Sequence, residues 1–177
     1  MSRRPFDPDA LLAAIARGER SCGDFQMRID RHGTWHYRGS PIGRLPLVKL
    51  FATVLRRGPD GGYWLVTPAE QGRIEVEDVP FVAVELRGEG EGPGQCLRLR
   101  TNLDHWVPVD EAHPLEMRPQ PDGAAAPYLR VRDSLDARVS RSVFYHLVEL
   151  AQPAPNGVDE VGVWSSGRFF PLGTVDG

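Results

Sequence analysis

The feature that most constrains the fold is the recurrence of short segments in which apolar and polar residues alternate. Residues 25–30, 96–100 and 128–132 show this pattern, and its period of two is that of a strand with one buried face. Residues 81–86 are almost continuously apolar and β-prone, as in a central strand. Turns rich in glycine and proline separate these segments. Because such turns join neighbouring strands, the sequence predicts a mostly antiparallel α+β protein.

Three segments have helical rather than strand periodicity: 8–17, 45–57 and 139–151. Pro46 near the start of the second segment and Gly58 at its end suit the two ends of a helix. The second and third segments each carry an apolar stripe wide enough to cover one face of a sheet.

These two helical segments lie in similar stretches of sequence. When Ile42 is laid over Val139, Arg44 falls on Arg141, and both stretches follow a strand and precede a turn and an aromatic-bearing strand. We therefore predict two small β-rich, roll-like domains, each with a covering helix and each built on a weakly repeated strand-helix-strand unit. The predicted domains are residues 1–79 and 80–177.

Composition and charge exclude several classes of protein. The net charge is −3, whereas proteins that bind nucleic acid draw their affinity from excess positive charge. The longest apolar runs have about six residues, and a membrane-spanning helix needs about twenty. Asp7 and Asp9 interrupt the apolar stretch that a signal peptide would need. Two widely spaced cysteines, Cys22 and Cys96, indicate neither disulfides nor zinc, so we expect a cytoplasmic protein.

Several motifs along the chain are together typical of one protein family. They include Cys-Gly-Asp-Phe at 22–25, Gly-Thr-Trp-His-Tyr at 33–37, Tyr-Trp-Leu-Val-Thr-Pro-Ala-Glu at 63–70, Ala-Arg-Val-Ser-Arg-Ser-Val-Phe-Tyr at 137–145 and Trp-Ser-Ser-Gly at 164–167. Over about residues 20–175 the sequence resembles the uncharacterised proteobacterial proteins grouped as domain of unknown function 1285. The resemblance implies a two-domain α+β fold with repeated motifs and a part in signal transduction. It implies no catalytic residue.

Arginine supplies nearly all of the positive charge, since Lys49 is the only lysine. Arg98 and Arg100 share one face of a predicted strand, and Arg130 and Arg132 share one face of another. A guanidinium group binds phosphate or carboxylate through two hydrogen bonds, so adjacent strands would form a row of anion-binding groups. Alternatively, each arginine pairs with an acidic side chain and has a structural role. Further arginines cluster at the predicted starts of the helices: Arg44, Arg138 and Arg141.

Aromatic side chains complete the predicted site. Trp35, Tyr37, Trp64 and Trp164 lie on predicted strands, where such residues either fill a core or line a pocket. Of these, Trp35, Tyr37 and Trp164 are predicted with the arginines to line a site where the two domains meet. We expect no metal and no cofactor. The five histidines include no pair at ligand spacing on a predicted helix, because His32 and His36, four residues apart, fall on a predicted turn and a predicted strand.

These observations favour a non-enzymatic ligand-binding or regulatory protein whose ligand is a small anion or a segment of a protein partner. One alternative is a small hydrolase or transferase that uses Cys22, Asp24 and His36, since a thiol nucleophile needs a base nearby. Another alternative is a protein-interaction scaffold whose exposed strand edges pair with a second chain.

Overall fold

The computed structural model describes residues 22–67 and 71–175, so the helix predicted at 8–17 lies outside the described residues. The chain divides into two compact units, Met1–Pro80 and Phe81–Gly177. The predicted α+β class is confirmed, because strands dominate both units and, within the described residues, each unit contains one α-helix. These helices are α1 (Leu45–Thr53) and α2 (Arg141–Glu149). Within the described residues, no helix has the length and apolar character needed to cross a membrane.

The first unit is built on one six-stranded sheet with the order β3-β2-β1-β6-β5-β4. The β1–β6 pair is parallel and the other pairs are antiparallel. Trp35 and Phe51 stack in the core with ring centres 6.3 Å apart, which joins the sheet to α1. The strands are β1 (Cys22–Ile29), β2 (Trp35–Tyr37), β3 (Ser40–Pro41), β4 (Leu55–Arg57), β5 (Tyr63–Val66) and β6 (Gln71–Val76).

Helix α1 is shorter than the predicted helix at 45–57. It ends at Thr53, Val54 leaves the helical conformation with φ −106° and ψ 5°, and the next three residues form β4. Leu55 fits the apolar stripe of a longer helix, but it is fully buried as a strand residue paired with Leu65. The strand pairing outweighs the helical periodicity because tertiary pairing and burial contribute more than intrinsic helix propensity.

The second unit contains a six-stranded sheet with the order β10-β11-β12-β7-β8-β9 and a three-stranded sheet, β13-β14-β15. All pairs are antiparallel except β12 with β7. Helix α2 packs against β7 and β14. The strands are β7 (Phe81–Glu89), β8 (Cys96–Thr101), β9 (Trp106–Pro108), β10 (Leu115–Pro119), β11 (Ala125–Arg132), β12 (Leu135–Val139), β13 (Gln152–Pro153), β14 (Glu160–Ser165) and β15 (Arg168–Thr174).

Ser165 connects the two sheets of the second unit. Its side chain is completely buried, its Oγ accepts a hydrogen bond from the Leu97 amide at 2.9 Å, and it donates to the Val109 carbonyl at 2.6 Å. Gln95 adds a second connection, because its side-chain amide donates to the Trp164 carbonyl at 2.9 Å. These bonds fix the end of β14 against β8.

The predicted repeat is present as an arrangement of strands around a helix. In the first unit, the β1-β2-β3 meander leads into α1 and then the β4-β5-β6 meander. In the second unit, β10-β11-β12 leads into α2 and then β13-β14-β15. The alignment of the two repeats predicted from sequence is wrong by one residue. The N-caps of α1 and α2 are Arg44 and Ser140, so Arg44 corresponds to Ser140 rather than to Arg141. Only Ser140 caps its helix, accepting a hydrogen bond from the Val143 amide.

Candidate functional site

The two strands that carry the predicted arginine pairs are not neighbours. In the sheet order, β12 and β7 lie between β11, which carries Arg130 and Arg132, and β8, which carries Arg98 and Arg100. Neighbouring strands are about 4.8 Å apart, so the two pairs do not form a continuous row of guanidinium groups.

Arg98 and Arg100 share the predicted face of β8, but each has an acidic partner. Arg100 Nε lies 2.8 Å from Glu85 Oε2, and its Nη1 lies 2.9 Å from Asp104 Oδ1. The hydrogen bond from Arg100 lowers the pKa of Glu85, outweighing the opposite effect of burial. Arg98 Nη2 lies 3.5 Å from Glu89 Oε1. The structural alternative therefore describes this pair well.

Arg130 belongs to an ion-pair cluster around a buried carboxylate. Asp136 is 1% exposed, and its oxygens accept hydrogen bonds from Arg130 Nε at 2.6 Å and Arg118 Nη2 at 2.9 Å. Burial lowers the pKa of Arg118, but hydrogen bonds to Glu116 and Asp136 outweigh it and leave that pKa above its ordinary value. The cluster holds β10, β11 and β12 together.

Replacing Asp136 with asparagine is expected to lower the free energy of unfolding by about 2 kcal/mol. The change removes the charge that two guanidinium groups share, and their partial exposure to water limits the loss. Urea denaturation measures the effect. Glu89→Gln is the matched control, since it breaks the pair of Arg98 with a side chain that is 82% exposed. Equal effects of the two substitutions would contradict a buried cluster.

The arginines predicted at the helix starts differ in their positions. Arg44 is the exposed N-cap of α1, and Arg141 is the exposed first residue of α2. Arg132 and Arg138 are half-buried on β11 and β12. Their role in ligand binding stays a prediction, as does the location of a site where the two units meet.

The predicted aromatic residues have structural partners in the described residues. Trp35 is 1% exposed and belongs to the core. The Arg38 guanidinium lies 5.2 Å from the ring centre of Tyr37. Trp164 packs edge-on against Phe169 with ring centres 5.5 Å apart.

His36 has a different carboxylate partner from the one predicted for an enzyme. Its Nε2 lies 2.9 Å from Asp30 Oδ2, whereas Asp24 Oδ1 accepts a hydrogen bond from the Gln26 amide. Burial raises the pKa of Asp30, but hydrogen bonds from His36 and from backbone amides outweigh it and lower that pKa overall. His36 Nδ1 is buried without a hydrogen-bond partner. Because Nε2 is bonded to Asp30 and Nδ1 is buried, neither ring nitrogen is open to solvent or to a ligand, and this geometry does not favour His36 as a general base.

An arginine- and tryptophan-lined cleft lies in the first unit, beside the hairpin formed by β4 and β5. Its volume is about 460 Å³, within the range of small-molecule sites. We call it the hairpin cleft. It is lined by Arg56, Arg57, Gly58, Pro59, Asp60, Trp64, Val66 and Gln71.

The two arginines of the hairpin cleft donate to neutral groups. Arg56 Nη1 donates to the carbonyls of Thr53 at 3.1 Å and Leu55 at 2.7 Å. Arg57 Nε donates to the Gly61 carbonyl at 3.3 Å, and its guanidinium lies over the ring of Tyr63. Among residues 22–67 and 71–175, neither arginine has a carboxylate partner. Within the described part of the chain, their positive charges are therefore not offset by an ion pair.

The local sequence builds the cleft through a tight turn between the strands. The Gly58 amide donates to the Gly62 carbonyl at 2.7 Å, and Gly61 has φ +82°, a conformation that favours glycine. Asp60 Oδ1 accepts a hydrogen bond from the Gly62 amide at 3.0 Å, and its Oδ2 lies 3.5 Å from Arg73 Nη2. Asp60, the one carboxylate among the described residues that line the cleft, is thus paired with a third arginine, Arg73.

The sequence prediction missed Arg56 and Arg57 because it placed them at the solvent-exposed end of a helix. It did identify the turn after Gly58, and it included Trp64 among the aromatic residues that could line a pocket. The signal in the sequence was two adjacent arginines, Arg56 and Arg57, followed by Gly58 and a Pro-Asp-Gly-Gly turn.

Comparisons with known proteins identify the family. The model described as "Domain of unknown function (DUF1285), N-terminal domain" matches residues 19–79. The model described as "Protein of unknown function (DUF1285), C-terminal domain" matches residues 80–172. The chain belongs to the DUF1285 family. Its predicted resemblance is thereby confirmed.

Two solved structures of DUF1285 family proteins resemble this chain. One, from Silicibacter pomeroyi DSS-3, is 42% identical, covers 87% of this chain and 82% of its own, and has a TM-score of 0.81. The other, from Shewanella baltica OS155, is 28% identical, covers 70% of this chain and 91% of its own, and has a TM-score of 0.54. A search of curated proteins finds no match. DUF1285 membership therefore establishes the fold but assigns no activity.

Proposed function

We propose that this DUF1285 protein is a non-enzymatic ligand-binding protein that recognises a small anion through arginine side chains in the hairpin cleft. The observation that carries the proposal is the pair Arg56 and Arg57, which line one cleft and have no carboxylate partner among the described residues. If the protein has a regulatory role such as signal transduction, the anion would be the signal that it detects.

The hairpin cleft suits an anion better than the arginines of the second unit do. An anion that approached Arg100 or Arg130 would have to displace Glu85 or Asp136, which are already bonded at 2.8 Å and 2.6 Å. Among the described residues, Arg56 and Arg57 instead contact only carbonyl oxygens and an aromatic ring. Guanidinium donors that are free to form bidentate bonds bind phosphate and carboxylate with geometric specificity.

Isothermal titration calorimetry with inorganic phosphate at low ionic strength tests this proposal. We expect the double variant Arg56→Gln/Arg57→Gln to bind phosphate at least about tenfold more weakly than the wild type. Each charge-assisted hydrogen bond contributes about 1.5–3 kcal/mol, and about 1.4 kcal/mol corresponds to a factor of ten. Circular dichroism and urea denaturation check that the variant remains folded.

Arg31→Gln is the matched control, because Arg31 is also exposed, lies in the first unit, and has no side-chain acidic partner among the described residues. We expect it to bind phosphate like the wild type. The proposal fails if the double variant keeps wild-type affinity, or if the wild type binds no phosphate. Weakened binding in Arg98→Gln/Arg100→Gln alone would place the site on β8 instead.

A further inference from the structure

We infer that the ligand of the hairpin cleft carries a planar aromatic or heteroaromatic ring beside its anionic group, and that the ring packs against Trp64. This inference rests on the proposed function, because it takes Arg56 and Arg57 as the groups that hold the anion. It adds the chemical class of the ligand, an aryl phosphate or aryl carboxylate.

Trp64 presents both an apolar ring and a hydrogen-bond donor to the cleft. It lies on β5, is half-buried, and lines the cleft together with the exposed side chain of Val66. Its indole N–H has no acceptor among the residues that the structure describes. A partly exposed tryptophan with an unused donor is typical of a surface that contacts an amphipathic ligand.

Arg73 fixes the orientation of this ring before any ligand arrives. It lies directly opposite Trp64 in the β5–β6 register, and its guanidinium is 5.6 Å from the centre of the indole. Arg73 also lies 3.5 Å from Asp60 Oδ2, in an exposed ion pair that adds little to this packing. A ring held by its surroundings costs less conformational entropy on binding, so stacking against it contributes more to affinity.

Gly58 keeps the edge of the indole accessible. A Cβ atom at this position would lie 3.1 Å from Trp64 Nε1 and 3.0 Å from Asp60 Oδ1, closer than ordinary van der Waals contact. Because Gly58 lines the cleft, a methyl group there would occupy the approach to the indole N–H. The absence of a side chain is therefore what leaves this donor open to a ligand.

Calorimetric titration with three test ligands examines the inference: inorganic phosphate, phenyl phosphate and cyclohexyl phosphate. Stacking on an aromatic side chain strengthens binding, so phenyl phosphate should bind about tenfold more tightly than phosphate, which corresponds to about 1.4 kcal/mol. Phenyl phosphate should also bind at least about threefold more tightly than cyclohexyl phosphate, which has similar bulk but no aromatic ring. Trp64→Leu should remove the preference for phenyl over cyclohexyl while retaining phosphate binding.

Two further variants separate this inference from the proposed function. Gly58→Ala should weaken the binding of phenyl phosphate several-fold, and it does so without any change of charge. Gly61 is not substituted, because its positive φ favours glycine. If phosphate and phenyl phosphate bind equally and both are lost in Arg56→Gln/Arg57→Gln, the aromatic ligand is refuted and anion binding stands. If phenyl phosphate binds tightly but Trp64→Leu has no effect, the ring lies elsewhere and the inference is overturned. If no ligand binds, both fail.

Discussion

Replacing Gly162 with alanine is expected to lower the free energy of unfolding by at least about 4 kcal/mol. A Cβ atom at this position would lie 2.2 Å from the Phe170 carbonyl oxygen and 2.8 Å from the Pro171 Cα. Both are backbone atoms of β15, which pairs with β14, so no side-chain rotation relieves the clash. The two strands must separate, and hydrogen bonds of the ladder are lost.

Gly173→Ala is the matched control, because it lies on the same hairpin and no atom lies within 4 Å of its Cβ position. Its effect should stay within about 0.5 kcal/mol. Urea denaturation gives the global effect of each substitution, and amide hydrogen exchange in β14 and β15 reports on the hairpin itself. Similar stabilities for the two variants would mean that the spacing of β14 and β15 differs from the one described.

Replacing Gly72 with alanine is expected to cost about 3 kcal/mol for a different reason. A Cβ atom at this position would lie 2.0 Å from Cδ2 of Phe25. The Phe25 ring therefore occupies the space that a side chain at position 72 would need. A bulge in β1 creates this contact, since the register with β6 shifts between Asp24 and Arg28, and Gln26 adopts φ +56° within it. The Phe25 ring must leave its place if Gly72 gains a methyl group.

A double-mutant cycle with Phe25→Ala tests this contact. In the Phe25→Ala background, Gly72→Ala should cost less than about 1 kcal/mol, because the atoms that it clashes with are gone. The free energies come from urea denaturation of the four proteins in the cycle. Additive costs would show that Phe25 does not lie on Gly72.

The alternation of apolar and polar residues predicted the strands better than it predicted their ends and partners. Strand β8 lies within one residue of the predicted segment 96–100, because its alternate residues are buried and form one face. Strand β12 was missed, since Asp136 is a charged residue that is buried only because Arg118 and Arg130 reach it from neighbouring strands. Such long-range pairing leaves no local pattern in a sequence.

The same limit applies to the candidate site. The sequence identified arginine and tryptophan as the relevant residue types, but it could not show which arginines already had acidic partners. Glu85 lies opposite Arg100 only because β7 pairs with β8 in one particular register. Arg56 and Arg57 became candidates only when β4 replaced the end of a predicted helix. Charge compensation depends on strand register, and register depends on the whole fold.

The indole N–H signals of the four tryptophans, followed by NMR during a titration with inorganic phosphate, test the central claim most directly. Trp64 lies in the hairpin cleft, Trp35 in the core of the first unit, Trp106 opposite Arg100 on β9, and Trp164 on β14. Single Trp→Phe variants assign each signal. We expect the Trp64 signal to shift in a saturable way while the other three signals stay in place. A saturating shift of the Trp106 or Trp164 signal, with the Trp64 signal unmoved, would contradict it.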